Sequence, residues 1–174
     1  ISCSIGVYKE NKWFEKVIKI DSESLSYNLA PIREDSLSWI KQNNIEPLDD
    51  FEVEIQRNIT TYLGDIVAQF KPKFLLIIDY GYEAHERSGK PYKSLIRTYK
   101  NHHLAGETIL QPTSTDITYD VNFTSVKNSL SELGFEVELL SQKEFLEREG
   151  FLSFYKKMQI EFQNANGLDR LKIK

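Results

Sequence analysis

The sequence predicts an α/β fold, and two adjacent segments carry that expectation. Phe74-Leu75-Leu76-Ile77-Ile78 is an unbroken apolar run bounded by Lys73 and Asp79, the pattern of a strand covered on both faces of a sheet. Immediately before it, Ile59, Tyr62, Leu63, Ile66, Val67 and Phe70 recur at helical spacing within a helix expected over 53–70, and Pro72 ends the pattern. Helix, tight turn and buried strand make the repeating unit of an α/β domain. Open sheets of this kind bind ligands at the carboxyl ends of their strands, where Asp79-Tyr80-Gly81 would sit.

The other elements follow in chain order. Residues 13–29 read as a β-hairpin: Val17 and Lys19 alternate in one arm, Leu25, Tyr27 and Leu29 in the other, and Asp21-Ser22-Glu23-Ser24 supplies turn residues. Pro31 closes this unit. Asp35 can cap a short helix that partly buries Leu37, Trp39 and Ile40. Gln42 to Asp50 is polar and reads as loop. Beyond Gly81, residues 82–112 form a long polar insertion with a short strand at Ser94 to Tyr99, a length typical of functional lids or of disordered segments. A helix over Ser125 to Leu133 ends at Gly134, a C′ glycine. Phe135, Val137 and Leu139 then alternate with Glu136 and Glu138 as a half-exposed strand. Ser141-Gln142-Lys143-Glu144 is a capping box. Tyr155, Met158 and Phe162 mark a last helix, broken by Asn164 to Gly167.

Length and composition place limits on function. A chain of 174 residues fits one domain with a hydrophobic core, so 1–174 is read as a single domain. Its net charge of −4 and pI near 5.5 argue against a nucleic-acid partner. No apolar run approaches the roughly 20 residues that cross a bilayer, so no membrane partner is expected. Cys3 is the one cysteine, which rules out an internal disulfide and favours a reducing compartment. The first residue is Ile1, not Met, and the abrupt start suggests a processed, split or truncated product.

Several chemistries lack their motifs. There is no glycine-rich phosphate loop, CxxC, HExxH or GxSxG segment. His85, His102 and His103 lie near Glu86 and Glu107 without any metal-ligand spacing, so no metal is expected. Two segments remain. Asp79 either faces a ligand or caps the next turn, with Gly81 supplying a positive φ. Asp116, Thr118, Asp120 and Asn122 fall at alternate positions and would share one face of an extended segment. Equally, Asp120 and Asn122 fit as turn and cap residues before the helix at 125.

Taken together, these residues resemble the MidA family of S-adenosylmethionine-dependent methyltransferases. Trp13 to Ile20 resembles the family's W-x-E-x-x-V hairpin, and Phe51-Glu52-Val53 its acidic E-V. Leu76 to Gly81 matches L-I-I-D-Y-G. Pro112 to Phe123 resembles P-G-x-x-D-[IL]-T-A-x-V-D-F, and Gln142 to Gly150 resembles Q-x-x-F-L-x-x-x-G. Thr113 stands where the family has Gly, Tyr119 where it has Ala, and Asn122 where it often has Asp. The family's glycine-rich cofactor loop, its acidic ribose contact and its N-E-x-x-D-A-L-P segment have no counterpart here. The resemblance therefore covers only the later half of the enzyme. It implies a partial Rossmann-like methyltransferase sheet with an added β-hairpin and a long insertion after the Asp-Tyr-Gly strand.

The resemblance implies S-adenosylmethionine as cofactor, although its main binding loop is not in this chain, and a protein arginine as substrate. In the mitochondrial branch that arginine belongs to a respiratory complex I subunit, and the protein is an assembly factor. A guanidinium needs carboxylates to hold its fork and a base to take its proton. Asp79, Asp116 and Glu52 are the expected orienting groups and His102 a candidate for proton transfer, while Tyr80 and Gly81 would shape the pocket floor beside the cofactor. The alternative is a non-catalytic protein-binding or assembly module that lacks the cofactor site. Either reading allows pairing with a second copy or with the missing first half, in the bacterial cytoplasm or the mitochondrial matrix.

Overall fold

The computed structural model describes residues 3–21, 24–91, 93–106 and 114–167. It is a mixed α/β structure of two compact units, Ile1–Val137 and Glu138–Lys174.

The first unit opens with a four-stranded antiparallel sheet of β1 (Ser4–Lys9), β2 (Lys12–Asp21), β3 (Ser24–Pro31) and β4 (Phe51–Ile55), in the order β3-β2-β1-β4. Lys9 pairs with Lys12 around Glu10 and Asn11, whose φ values of +52° and +60° are those of a type I′ hairpin turn. Between β3 and β4 lies α1 (Glu34–Gln42). One face of the sheet presents Phe51, Val53 and Ile55 to Trp39 and Ile40 of α1 and to Ile45, with Tyr8 and Trp13 packed alongside. Alternation puts Glu52 and Glu54 on the opposite face.

The strand β4 corrects the helix expected over 53–70. Phe51-Glu52-Val53-Glu54-Ile55 has a two-residue period and pairs in register with Tyr8 to Ser4. The helix α2 (Ile59–Phe70) begins only after Asn58 and ends at Lys71, in the left-handed region at φ +46°. Of its predicted stripe, Ile59 and Leu63 are buried, whereas Tyr62 and Phe70 are exposed.

The apolar run after α2 is the second correction. Residues 74–80 belong to no ladder; Phe74 is 93 % exposed and Ile78 68 %. A strand requires a ladder of hydrogen-bonded neighbours, and among the described residues this segment has only the Val121 amide donating to the Tyr80 carbonyl at 2.9 Å, while Leu75 packs on the second core. Only Gly81 and Tyr82, as β5 (Gly81–Tyr82), pair in parallel with β9 (Val121–Asn122). Phe135, Val137 and Leu139 likewise join no sheet; Phe135 and Val137 instead pack on the second core of Ile59, Leu63, Val121, Val126 and Leu130.

The insertion contains a 3-10 turn (Ala84–Gly89) and two strands of a three-stranded antiparallel sheet, whose third strand follows the insertion. That sheet joins β6 (Arg97–Lys100), β7 (His103–Leu104) and β8 (Asp116–Thr118) in the order β7-β6-β8. Asn122 then caps α3 (Phe123–Glu132) by accepting the Ser125 amide at 3.3 Å. Gly134 follows α3 at φ +87°, the conformation a C′ glycine supplies.

In the second unit, Ser141 and Glu144 cap α4 (Gln142–Arg148) reciprocally. Arg148 pairs with Glu138 at 2.5 Å. Gly150, at φ +80°, leads into α5 (Phe151–Asn164), where Phe151 stacks on Tyr155 at 6.0 Å. No described helix is long and apolar enough to cross a membrane.

Candidate active site

The alternation that makes β4 a strand also places Glu52, Glu54 and Gln56 on one side of it, and all three are buried. Each is answered by the insertion or by the segment leading into α3. Glu52 accepts from Lys16 Nζ at 2.8 Å and from the Ser94 amide at 3.1 Å, with Lys93 Nζ at 3.8 Å. Glu54 Oε1 accepts from the Ser94 hydroxyl at 2.7 Å and the Leu95 amide at 2.5 Å. Gln56 donates to the Asp120 carbonyl at 3.0 Å and accepts the Asn122 amide at 3.2 Å.

Arg87 binds the insertion to the sheet. Its guanidinium donates to the backbone carbonyls of Glu52 at 2.5 Å, Pro91 at 3.0 Å and Lys93 at 3.3 Å, and lies 4.6 Å over the Phe51 ring. Glu54 Oε2 and Arg87 Nε are buried 3.8 Å apart, and the Tyr82 hydroxyl is buried as well. Burial, followed by the nearby Glu54 charge, pushes the Tyr82 phenol far above its ordinary value. Asp120 accepts from Arg97 at 2.6 Å and Lys90 at 3.4 Å. Its hydrogen bond is the main cause that raises the Arg97 pKa.

The residues singled out from the sequence fall in three places. Glu52 belongs to the buried network just described. Asp79 is exposed, before β5 rather than at the carboxyl end of a laddered strand, and its Oδ1 accepts the Tyr80 amide at 2.7 Å. Tyr80 projects outward, 83 % exposed. Gly81 does not have a positive φ. It is needed for close packing instead: a Cβ there would stand 2.3 Å from the Val121 carbonyl and 2.5 Å from the Phe123 ring.

The segment 116–122 does not keep one face. Asp116 and Thr118 are exposed in β8, whereas Asp120 and Asn122 are buried, because the chain leaves one sheet and enters another between them. Asp116 pairs with Tyr99, close to the Asn101-His102 turn of the same sheet. At φ +51° and +64° these two residues form a type I′ turn, so His102 sits at an exposed hairpin tip.

Asp79 has a neighbour that sequence reasoning missed. Tyr119 is raised to about 12, chiefly by burial, then by the charge and hydrogen bond of Cys3, with Asp79 adding its charge. Cys3 is raised to about 11 by burial and the Glu54 charge, which leaves it unsuited to act as a nucleophile near neutral pH. Glu54, Tyr82 and Arg87 were missed as well, whereas the sequence admits Asp120 either as a site residue or as a turn residue. Glu52, Glu54 and Gln56 at alternate positions were the signal available in the sequence. Among the described residues no group of three or more His, Cys, Asp and Glu side chains could hold a metal.

Comparison with known proteins places this arrangement in a family. Residues 2–140 match the family described as "Putative S-adenosyl-L-methionine-dependent methyltransferase", and the chain belongs to that family. No curated protein matches significantly. Two crystal structures of proteins of one superfamily from Burkholderia thailandensis are similar in fold. One, bound to S-adenosyl-homocysteine, shares 18% identity at a TM-score of 0.60, over 74% of this chain and 34% of that one. The other, an uncharacterised native protein, shares 17% identity at a TM-score of 0.56, over 72% and 34% of the two chains. The chain thus spans about a third of the length of these solved structures.

Proposed function

We propose that this member of an S-adenosylmethionine-dependent methyltransferase family supplies the substrate-side part of a MidA-type enzyme that methylates a protein arginine. The observation that carries the reading is the family match across residues 2–140, which includes both the Asp-Tyr-Gly segment and the Asp116–Phe123 segment. In this reading the exposed carboxylates Asp79 and Asp116 receive the guanidinium fork, which offers five donors and no acceptor. Glu52, already engaged by Lys16, holds the frame on which the insertion rests. His102, exposed at its turn, takes the proton released when a substrate nitrogen becomes a nucleophile. The reading places the chain in the bacterial cytoplasm or the mitochondrial matrix, and in the latter it extends to assembly of respiratory complex I.

The residues present fit one side of an S-adenosylmethionine site and not the whole of it. Tyr80 offers an exposed ring, but the space beside Gly81 is filled by Val121 and Phe123, and no glycine-rich loop occurs in the sequence. No reaction step is therefore assigned through the cofactor. The second reading is a protein-binding or assembly module without a cofactor site.

Calorimetric titration of S-adenosylmethionine into the chain separates the two readings. Binding near the micromolar range that weakens at least about tenfold in Asp79→Ala supports the enzyme reading. No heat at millimolar cofactor leaves the binding module. The substrate assignment is tested in a complete enzyme, where Asp79→Ala that left arginine methylation unchanged would sink it.

A further inference from the structure

We infer that Asp120 is a positioning residue, a latch that fixes the three-stranded sheet against the strand end carrying Asp79-Tyr80-Gly81. The inference rests on the reading given above, in which Asp79 and Asp116 receive one guanidinium. Those two carboxylates stand on different sheets. Asp79 precedes β5 of the two-stranded sheet, whereas Asp116 opens β8 of the three-stranded one, and His102 sits at the tip between β6 and β7. Groups so divided can act on one substrate only if their separation is held, since a displacement of about 1 Å already slows a reaction severely.

The chain passes between the two sheets through Tyr119 and Asp120, the residues that separate β8 from β9. Short connections of this kind are where a hinge absorbs its change in φ and ψ. Asp120 opposes that motion in both directions. Its Oδ1 accepts from Arg97 Nη2 of β6 at 2.6 Å, and Arg97 stands directly across from Thr118, the last residue of β8. Its Oδ2 faces Lys90 Nζ at 3.4 Å, and Lys90 lies 5.6 Å over the ring of Tyr82 in β5. One carboxylate oxygen therefore answers each sheet.

That carboxylate is presented from a fixed backbone. The Asp120 carbonyl accepts from the Gln56 side chain at 3.0 Å, and Gln56 also accepts the Asn122 amide at 3.2 Å. Between them, the Val121 amide donates to the Tyr80 carbonyl at 2.9 Å. None of these bonds uses the charge of Asp120. Asp120→Asn therefore keeps the shape of the side chain and the local backbone bonds, while its neutral amide holds Arg97 and Lys90 far less firmly. The Asp120 side chain is largely buried, so the pair with Arg97 is screened less than a surface bridge.

Residual dipolar couplings of the backbone amides read the angle between the sheets. In the parent chain, the amides of β6 and β8 and those of α3, which follows β9 directly, should fit one common alignment. In Asp120→Asn and in Arg97→Gln the couplings of the three-stranded sheet should shrink relative to those of α3, while each part still fits its own geometry. The double variant should be no looser than either single one, because both act through one pair. Asp120→Glu, which keeps the charge, should retain the common alignment. A parent whose two sheets align separately, an Asp120→Asn chain that keeps one alignment, an Asp120→Glu chain as loose as Asp120→Asn, or a double variant looser than both singles would overturn the inference. The cofactor titration is read independently: a chain that binds no S-adenosylmethionine, yet loses its common alignment in Asp120→Asn, sinks the enzyme reading and upholds the latch.

Discussion

Arg87 Nε stands 3.8 Å from Glu54 Oε2 with both side chains almost entirely buried, so the insertion is held to the sheet by a charge pair inside the protein. A buried pair of this kind contributes little compared with a matched apolar replacement, but losing one partner leaves an uncompensated charge. Arg87→Met should therefore destabilise the first unit by about 3–5 kcal/mol. Combining it with Glu54→Gln should recover part of that loss, because the stranded charge is gone. Chemical denaturation of both variants measures the difference. A double variant no more stable than Arg87→Met would show that Arg87 acts through its carbonyl contacts alone.

Gly81→Ala is expected to be among the most damaging small substitutions. The added methyl meets the Val121 carbonyl at 2.3 Å and the Phe123 ring at 2.5 Å, and backbone cannot yield as a flexible side-chain end does. The β5–β9 ladder has two residues on each side, so separating them removes the pairing altogether. A loss of about 3 kcal/mol is expected, in the range of overpacked core positions. Thermal unfolding followed at Tyr82 would report it, and a variant as stable as the parent would show that the ladder relaxes freely.

The signals that were legible in the sequence are local ones. The Ser141–Glu144 capping box needs residues three apart, and Gly134 needs only its own φ. Both are where the pattern places them. The two-residue period from Phe51 to Gln56 was equally available, but Val53 to Ile59 can also be fitted to a helical window, and pairing with β1 decided between them. Phe74 to Ile78 carries the composition of a doubly covered strand, yet composition states what a segment can bury and not what lies beside it. The contact between Arg87 and Glu54 joins residues 33 apart in sequence, and nothing local to either marks the other. Likewise the Asp79 charge acts on Tyr119, 40 residues away in sequence, through the fold and not through any local pattern.

Asn122→Asp tests a position where the resembled family often carries the acid. Here Asn122 is fully buried, donating its amide to Asn43 Oδ1 at 3.1 Å and capping Ser125 with its oxygen. An aspartate keeps the cap but sets a charge against the Asn43 oxygen. Because that oxygen also accepts the Ser125 hydroxyl at 2.8 Å, Asn43 has a second reason not to flip. A cost of about 2–4 kcal/mol is expected near neutral pH. It should shrink on acidification, when the new carboxyl can be protonated and donate. Urea denaturation at pH 7 and pH 5 checks both statements; a neutral substitution at pH 7 would mean that Asn43 reorients.

Alkaline pH should weaken the first unit through Cys3 and Tyr119. Burial and the Glu54 charge lift the Cys3 thiol from 9.0 to about 11, and burial followed by Cys3 lifts Tyr119 from 10.0 to about 12. In both, the unfolded chain loses its proton first. The contribution is therefore fully present below about pH 9, and it declines as pH rises through 11. A full two-unit shift at Cys3 would correspond to roughly 2–3 kcal/mol, and its coupling to Tyr119 makes the two losses overlap. Cys3→Ser should flatten the profile between pH 9 and 11, because serine does not ionise there. Denaturation midpoints measured across that interval decide the matter. Equal slopes for parent and variant would assign the alkaline loss to other groups.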